Sequence, residues 1–423
     1  MDKNTEKTLE ITSANKKLFF CSFTVVMIMK CLNISKVSSY IPYSYIYFLY
    51  IAIWGALAIV DTKGKIKLKM SPSKGILFAL AGYYLIWGFH NIQGIDFNDA
   101  FGNMIRSLLL TCFIAVSCYW VKKWNCLIDF IRNLYYTFSI YIIFWIVVSI
   151  PQINILRTFS TFFSFDNNIR YRNYLGFSYP NIGAEMAVCA IVFSKAIAPY
   201  DKHRRNIIRL INIFMFFAVL INNSRGSLLA LFVFECVSFY LYNKNNLLAV
   251  KKTANLILVG TLGVASVILY LIVVKGMTLF EILQGTNRQA ALLENIVLLE
   301  NSGQWLMGVG RLTGGFFSEK NIVYGAQTGY LEVFYFEVFI TSGILGSILV
   351  AMILLYIARK IVSLSKSNRF YLRKWIFCVF VYMLFVSLFE SYMFSYVYAS
   401  SMCLNVVVLS YLDIYNKNYY IQD

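Results

Sequence analysis

The sequence predicts an all-α, polytopic membrane protein: a bundle of about twelve membrane-crossing helices with one long outer loop that carries short helices. Three observations predict it. Hydrophobic residues make up 59% of the 423-residue chain and charged residues only 14%. Apolar runs of about 17 residues or more recur from end to end, the length that an α-helix needs to cross a hydrocarbon core. All five prolines, Pro42, Pro72, Pro151, Pro180 and Pro199, fall at the edges of those runs, where a residue without an N–H does least damage to a lipid-embedded helix.

The runs place helices near 18–34, 42–60, 75–91, 103–121, 134–151, 180–199, 207–222, 226–242, 253–274, 330–358, 374–391 and 395–415. The first follows Lys16 and Lys17, lacks a small-residue cleavage site, and reads as an uncleaved first span. Cys21, Cys112, Cys118, Cys189, Cys236, Cys378 and Cys403 lie inside the runs without CxxC or Cys/His metal spacing, so they read as small core residues and no metal site is expected. The whole chain reads as a single membrane domain, 1–423, with a long loop at 275–329 between spans nine and ten.

Lysine and arginine alternate between loops. "DTKGKIKLKMSPSK", "VKKW", "DKHRR" and "RKIVSLSKSNRFYLRK" all fall on one side, which the positive-inside rule makes cytoplasmic, together with both termini. Most of the +18 net charge is thereby assigned to anionic lipid headgroups, and a nucleic-acid partner is not expected.

The outer side should then be poor in basic residues, and it is not. Arg106 lies near the outer end of the fourth run, Arg157, Arg170 and Arg172 in the loop before Pro180, Arg225 at the start of the eighth run, and Arg288 and Arg311 in the long loop. Any one of them could be an arginine snorkelling to the interface. Several together, each opposed by about 3 kcal/mol at the membrane centre and by less toward the interface, point to an anion that they bind. Guanidinium forks match phosphate bidentately and keep their charge at any physiological pH. At headgroup depth the obvious anion is the diphosphate of a lipid-linked glycan.

Four stretches support that anion. "NNSRGSLLALFVFE" (222–235) resembles the SRGxLLAL signature of the O-antigen polymerase and ligase family, and "GFSYPNIGAEMAV" (176–188) is similar to its asparagine–proline step. "TNRQAALLENIVLLENSGQWLMGVGRLTGGF" (286–316) resembles its arginine, amphipathic helix and GxG turn, and "EVFYFEVFITSGILG" (332–346) its closing helix. The matching pieces cover roughly 175–350 in the family's order.

The resemblance implies an inner-membrane glycosyltransferase that works on undecaprenyl-diphosphate-linked glycans at the periplasmic face, without cofactor or metal and with inversion at the anomeric carbon. Donor and acceptor glycans, membrane lipid and a chain-length regulator are its implied partners. Arg225 and Arg288 are expected to hold the diphosphate, helped by Arg157, Arg170, Arg172 and Arg311. The GxG before Arg311 also reads as a helix C-cap. Ligase members carry a histidine at the start of the closing helix. Counting back from Gly343 puts that position on Glu332, the preferred base, or on Gln327 with a gap; Glu337 and His90 are further alternatives. The absent histidine favours a polymerase over a ligase that moves finished polymer to a lipid A core. A lipid-linked glycan flippase, the alternative from another class, would be expected to show an internal repeat with binding residues near the midplane. No such repeat is apparent in the sequence.

Overall fold

The computed structural model describes residues 3–33, 43–62, 71–92, 97–161, 171–177, 179–243, 286–309, 333–365, 371–395 and 398–417. Helices dominate these residues: α1 Lys3–Asn33, α2 Tyr43–Asp61, α3 Pro72–Ile92, α4 Phe97–Lys123, α5 Leu127–Ser149, the short α6 Ile155–Ser160, α7 Pro180–Ile197, α8 Arg205–Ile221, α9 Arg225–Asn243, α10 Thr286–Ser302, α11 Phe334–Ser365, α12 Tyr371–Val386 and α13 Ala399–Lys417. Each expected segment that reaches the described residues overlaps a helix, although 374–391 overruns its helix, which ends at Val386 and gives way to turns. The expected span at 253–274 lies outside the described residues, as does Pro42. Pro72 and Pro180 each open a helix, and Pro151 sits in a single 3₁₀ turn after α5.

Five stretches among the described residues are helical, long and apolar enough to cross a membrane: Met104–Lys123, Leu127–Gln152, Pro180–Ile197, Arg225–Asn243 and Phe334–Ser363. Tyr45–Asp61 and Ala399–Tyr415 are shorter apolar helices. On the outside of the bundle, Ile53, Val60, Ile140, Phe144, Ile213, Phe232, Ile348 and Leu355 are exposed. Apolar side chains in such number on the outer face have no place against water, and they suit hydrocarbon.

Helix α7 is the central post. It is buried along nearly its whole length, and α5, α8, α9, α12 and α13 all pack on it. Its Gly183, Ala184, Ala187 and Ala190 keep the surface slim, which allows neighbouring backbones to approach closely. Residues 399–413 of α13 are likewise enclosed, between α3, α4 and α5. At one end of the bundle an aromatic cluster joins α1, α2, α4 and α5, with the Phe19 ring edge-on to Trp54 at 5.2 Å and Phe23 edge-on to Phe130 at 4.8 Å. Cys118, Cys189, Cys378 and Cys403 are core residues as expected. Cys21 and Cys112 are not: both are exposed, because their helix faces point away from the bundle.

That same end gathers ion pairs. Lys16 meets Asp129 at 2.6 Å, Arg132 meets Asp201 at 2.8 Å, Lys195 meets Glu235 at 2.9 Å, and Lys123 pairs with Asp61. Asp413 of α13 is the deepest member. Its carboxyl accepts from the backbone N–H of Ser73 at 3.1 Å and from the hydroxyls of Ser71 and Ser73, and it pairs with Lys122 at 2.9 Å. It thus satisfies free donors at the start of α3 from a different helix. Because Asp413 is only 5% exposed, removing it strands those donors and the lysine together. Asp413→Ala is expected to lower stability by about 2–4 kcal/mol, with Asp413→Asn intermediate, read as the thermal unfolding midpoint in detergent.

Candidate functional site

The turn between α8 and α9 is polar and yet enclosed: Asn222, Asn223 and Ser224 are all buried. Asn223 adopts a left-handed conformation (φ 52°), which asparagine tolerates better than most side chains. Its amide donates to the carbonyl of Tyr171 at 3.1 Å, and Asn173 donates to the Ile221 carbonyl from both its backbone N–H (3.2 Å) and its side chain (3.0 Å). Residues 171–173 are therefore laced onto the turn. Tyr171 in turn donates to the Gln152 carbonyl at 2.8 Å, and the Arg157 guanidinium lies 5.0 Å over its ring.

This lacing brings together three of the arginines singled out in the sequence. Arg225 is the first residue of α9 and is half-buried, Arg172 is half-buried on the laced segment, and Arg157 is exposed on the flank. The charge of Arg172 reaches that of Arg225. Like charges held near one another in a partly enclosed place repel, and an anion between them reverses the sign of that interaction. The α9 N-terminus adds the positive end of its macrodipole at the same point.

Beside Arg225 lie two buried carboxyls that the motif reading passed over. Glu185, on α7, accepts from Ser227 at 2.6 Å and from the Tyr382 hydroxyl at 2.5 Å. Glu390, just beyond α12, accepts from Asn181 at 2.6 Å and from Tyr398 at 2.6 Å. The site lies where these elements converge: a Cβ placed on Gly226 would come within 3.1 Å of Phe389. An ionisable residue inside an apolar span is by default a functional candidate, and that rule would have flagged Glu185 within "NIGAEMAV".

A separate feature of the fold is a clasp. α10 stops at Gly303, whose positive φ (64°) ends the helix. The expected cap at the GxG therefore lies several residues too late. Gly308 has a different task. The turn it occupies docks into a break in α11 at Gly343 (φ 61°, ψ −161°), with Val309 N–H donating to Ile340 O at 2.9 Å, Ile344 N–H to Trp305 O at 3.0 Å and Leu345 N–H to Leu306 O at 3.1 Å. A Cβ on either glycine would sit 2.5 Å from the other segment's backbone. From α3, Trp87 Nε1 donates to Met307 O at 2.9 Å and His90 Nε2 lies 3.0 Å from Gly308 O. To serve that carbonyl, His90 must carry a proton on Nε2.

Glu337 lies in the first turn of α11, half-exposed, with its charge acting on Tyr83. Arg288 is carried by α10. Arg170, Arg311, Gln327 and Glu332 lie outside the described residues. No protein-family model matches the chain, and no curated protein is detectably similar to it.

Gly343 occupies backbone space that only glycine uses, whereas Gly303 has open space around its Cα. Gly343→Ala is expected to cost about 3 kcal/mol or more and to release the 305–309 turn, while Gly303→Ala costs about 1 kcal/mol. Unfolding midpoints, with amide exchange at Val309, Ile344 and Leu345, distinguish the two; equal effects at both positions contradict the clasp.

Proposed function

We propose that this chain is a polymerase of lipid-linked glycan repeat units. It joins undecaprenyl-diphosphate-linked oligosaccharides at the periplasmic face of a bacterial inner membrane. The observation that carries the reading is the convergence of Arg157, Arg172 and Arg225 around the start of α9 in a bundle with an apolar exterior. The proposed topology has about twelve spans, both termini in the cytoplasm, and the 275–329 loop outside. The ion-paired end of the bundle then faces the cytoplasm, and the arginine end faces the periplasm at headgroup depth. Exposed Leu293 and Val297 on α10, one turn apart, with Trp305 and Leu306 beyond, fit a loop helix lying along the membrane surface.

In the proposed reaction the growing chain leaves its lipid diphosphate for a hydroxyl on the nonreducing sugar of an acceptor unit. Negative charge builds on the departing diphosphate as the anomeric C–O bond breaks. Arg225 and Arg288 would meet that charge, with Arg157, Arg170, Arg172 and Arg311 holding the rest of the headgroup. The attacking hydroxyl gives its proton to a base, for which Glu332 is proposed, with Gln327, Glu337 and His90 as alternatives. Attack from the face opposite the leaving diphosphate inverts the anomeric centre. A chain-length regulator is the proposed protein partner.

A deletion strain tests the class. Loss of a polymerase leaves single repeat units on the surface glycolipid; polymer accumulating on the carrier lipid indicates a ligase, and units trapped inside the cell indicate a flippase. Arg225→Ala and Arg288→Ala are each expected to lower polymer yield about 100-fold or more while the protein still inserts, because one preorganised cationic or hydrogen-bonding group is worth about 10²–10³ in rate. Wild-type banding from both variants removes the diphosphate clamp. Glu332→Gln is expected to lower polymer yield by about 10²-fold or more, the contribution of a positioned base. Normal output from it moves the base to one of the alternatives.

A further inference from the structure

We propose that Glu185 is the positioning residue of Arg225, acting through a one-way relay of hydroxyl groups. This assignment rests on the diphosphate-binding reading given above.

The relay follows from counting protons. With Glu185 in its ionised, acceptor-only form, the one hydroxyl proton of Ser227 is donated to it at 2.6 Å. The contact between Ser224 and Ser227, also 2.6 Å, must therefore be donated by Ser224. Ser224 precedes Arg225, and its carbonyl accepts the bond from Leu228 N–H that opens α9. The direction of the hydroxyl bond between Ser224 and Ser227 is thus set by an acceptor on another helix. The second oxygen of Glu185 takes the Tyr382 hydroxyl of α12 at 2.5 Å. One carboxyl consequently fixes α7, α9 and α12 at the level where Arg225 leaves its helix. Glu185 and Ser227 are 0% and 1% exposed, so neither is placed to touch a substrate. Arg225 is half-buried and follows directly on Ser224.

The turn is also held from its other side, by Asn223 on Tyr171 and Asn173 on Ile221. Those bonds place Arg172 and the start of the turn. The rotation of α9's first turn, and with it the direction of the Arg225 side chain, depends on the bonds from Ser224 through Ser227 to Glu185.

The test uses the full-length protein in proteoliposomes with lipid-diphosphate-linked repeat units. Ser227→Ala cuts the relay on the α9 side and leaves Tyr382 on Glu185; Glu185→Leu removes the shared acceptor; Glu185→Gln keeps an acceptor for Ser227 and offers Tyr382 a donor. Donor kcat/KM is expected to fall about tenfold in Ser227→Ala, further in Glu185→Leu, and about threefold in Glu185→Gln. In an Arg225→Lys background, which has already lost the guanidinium fork, Ser227→Ala is expected to add less than about a twofold loss, because residues that act through one group are not additive. Losses that multiply in the double variant overturn the assignment, since a merely structural serine would act in either background. If Arg225→Ala abolishes polymer while Ser227→Ala is silent, the positioning role alone fails. If Arg225→Ala is itself silent, the diphosphate reading fails and takes this assignment with it.

Discussion

A carboxyl group that is shut away from water has to find donors, and at Glu185 that demand organises the bundle. Ser227 and Tyr382 supply the donors, so α9 and α12 are brought to a fixed height against α7. The apolar contacts of α7 with its neighbours could not fix that height alone, because dispersion between smooth helices tolerates sliding. Two short hydrogen bonds to a single side chain do not tolerate it. In hydrocarbon the cost of leaving the carboxyl unserved is greater than in a soluble core, which makes the registration stricter.

The two ends of the bundle use their acidic side chains with different partners. At one end lysines and arginines meet aspartates on neighbouring helices, and Asp413 alone serves both Lys122 and the first turn of α3. Charge there is spent on tying helices together. At the other end Glu390 accepts hydrogen bonds from Asn181 and Tyr398, and Glu185 accepts from the hydroxyls of Ser227 and Tyr382, so these acids also join neighbouring segments.

Much of the fold could be read from the sequence because its dominant constraint is local. Proline positions marked the starts of α3 and α7, and apolar run length gave the extent of α9, whereas α4 and α5 begin earlier, at Phe97 and Leu127, than the runs at 103–121 and 134–151 because their first turns carry polar residues. Arg225 was legible because it breaks the apolar pattern. Other features depend on partners distant in the chain. The break in α11 at Gly343 is stabilised by the turn at 305–309, and nothing in "TSGILG" announces that a second backbone will enter there. The helix cap was misplaced for a similar reason: Gly308 and Gly303 look alike in sequence, but one ends a helix and the other makes room for α11. Glu185 carries a local signal, an acid amid apolar residues, while its role becomes visible only once Ser227 and Tyr382 stand beside it.

The location of Arg225 within its helix also bears on the choice between a transferase and a transporter. A carrier that alternates between two faces needs its anion site near the middle of the spans, on helices that break there. Arg225 is instead the first residue of α9, and the buried polar turn before it joins α8 to α9 at the end of the bundle. The helix that does break, α11, has its break occupied by the 305–309 backbone, whose amides and carbonyls satisfy the groups that the break exposes. A gap filled in this way is a joint between loop and bundle rather than a passage. The polar turn that carries Arg225 and the joint that holds 305–309 against α11 are thus each fixed by hydrogen bonds between segments far apart in the chain.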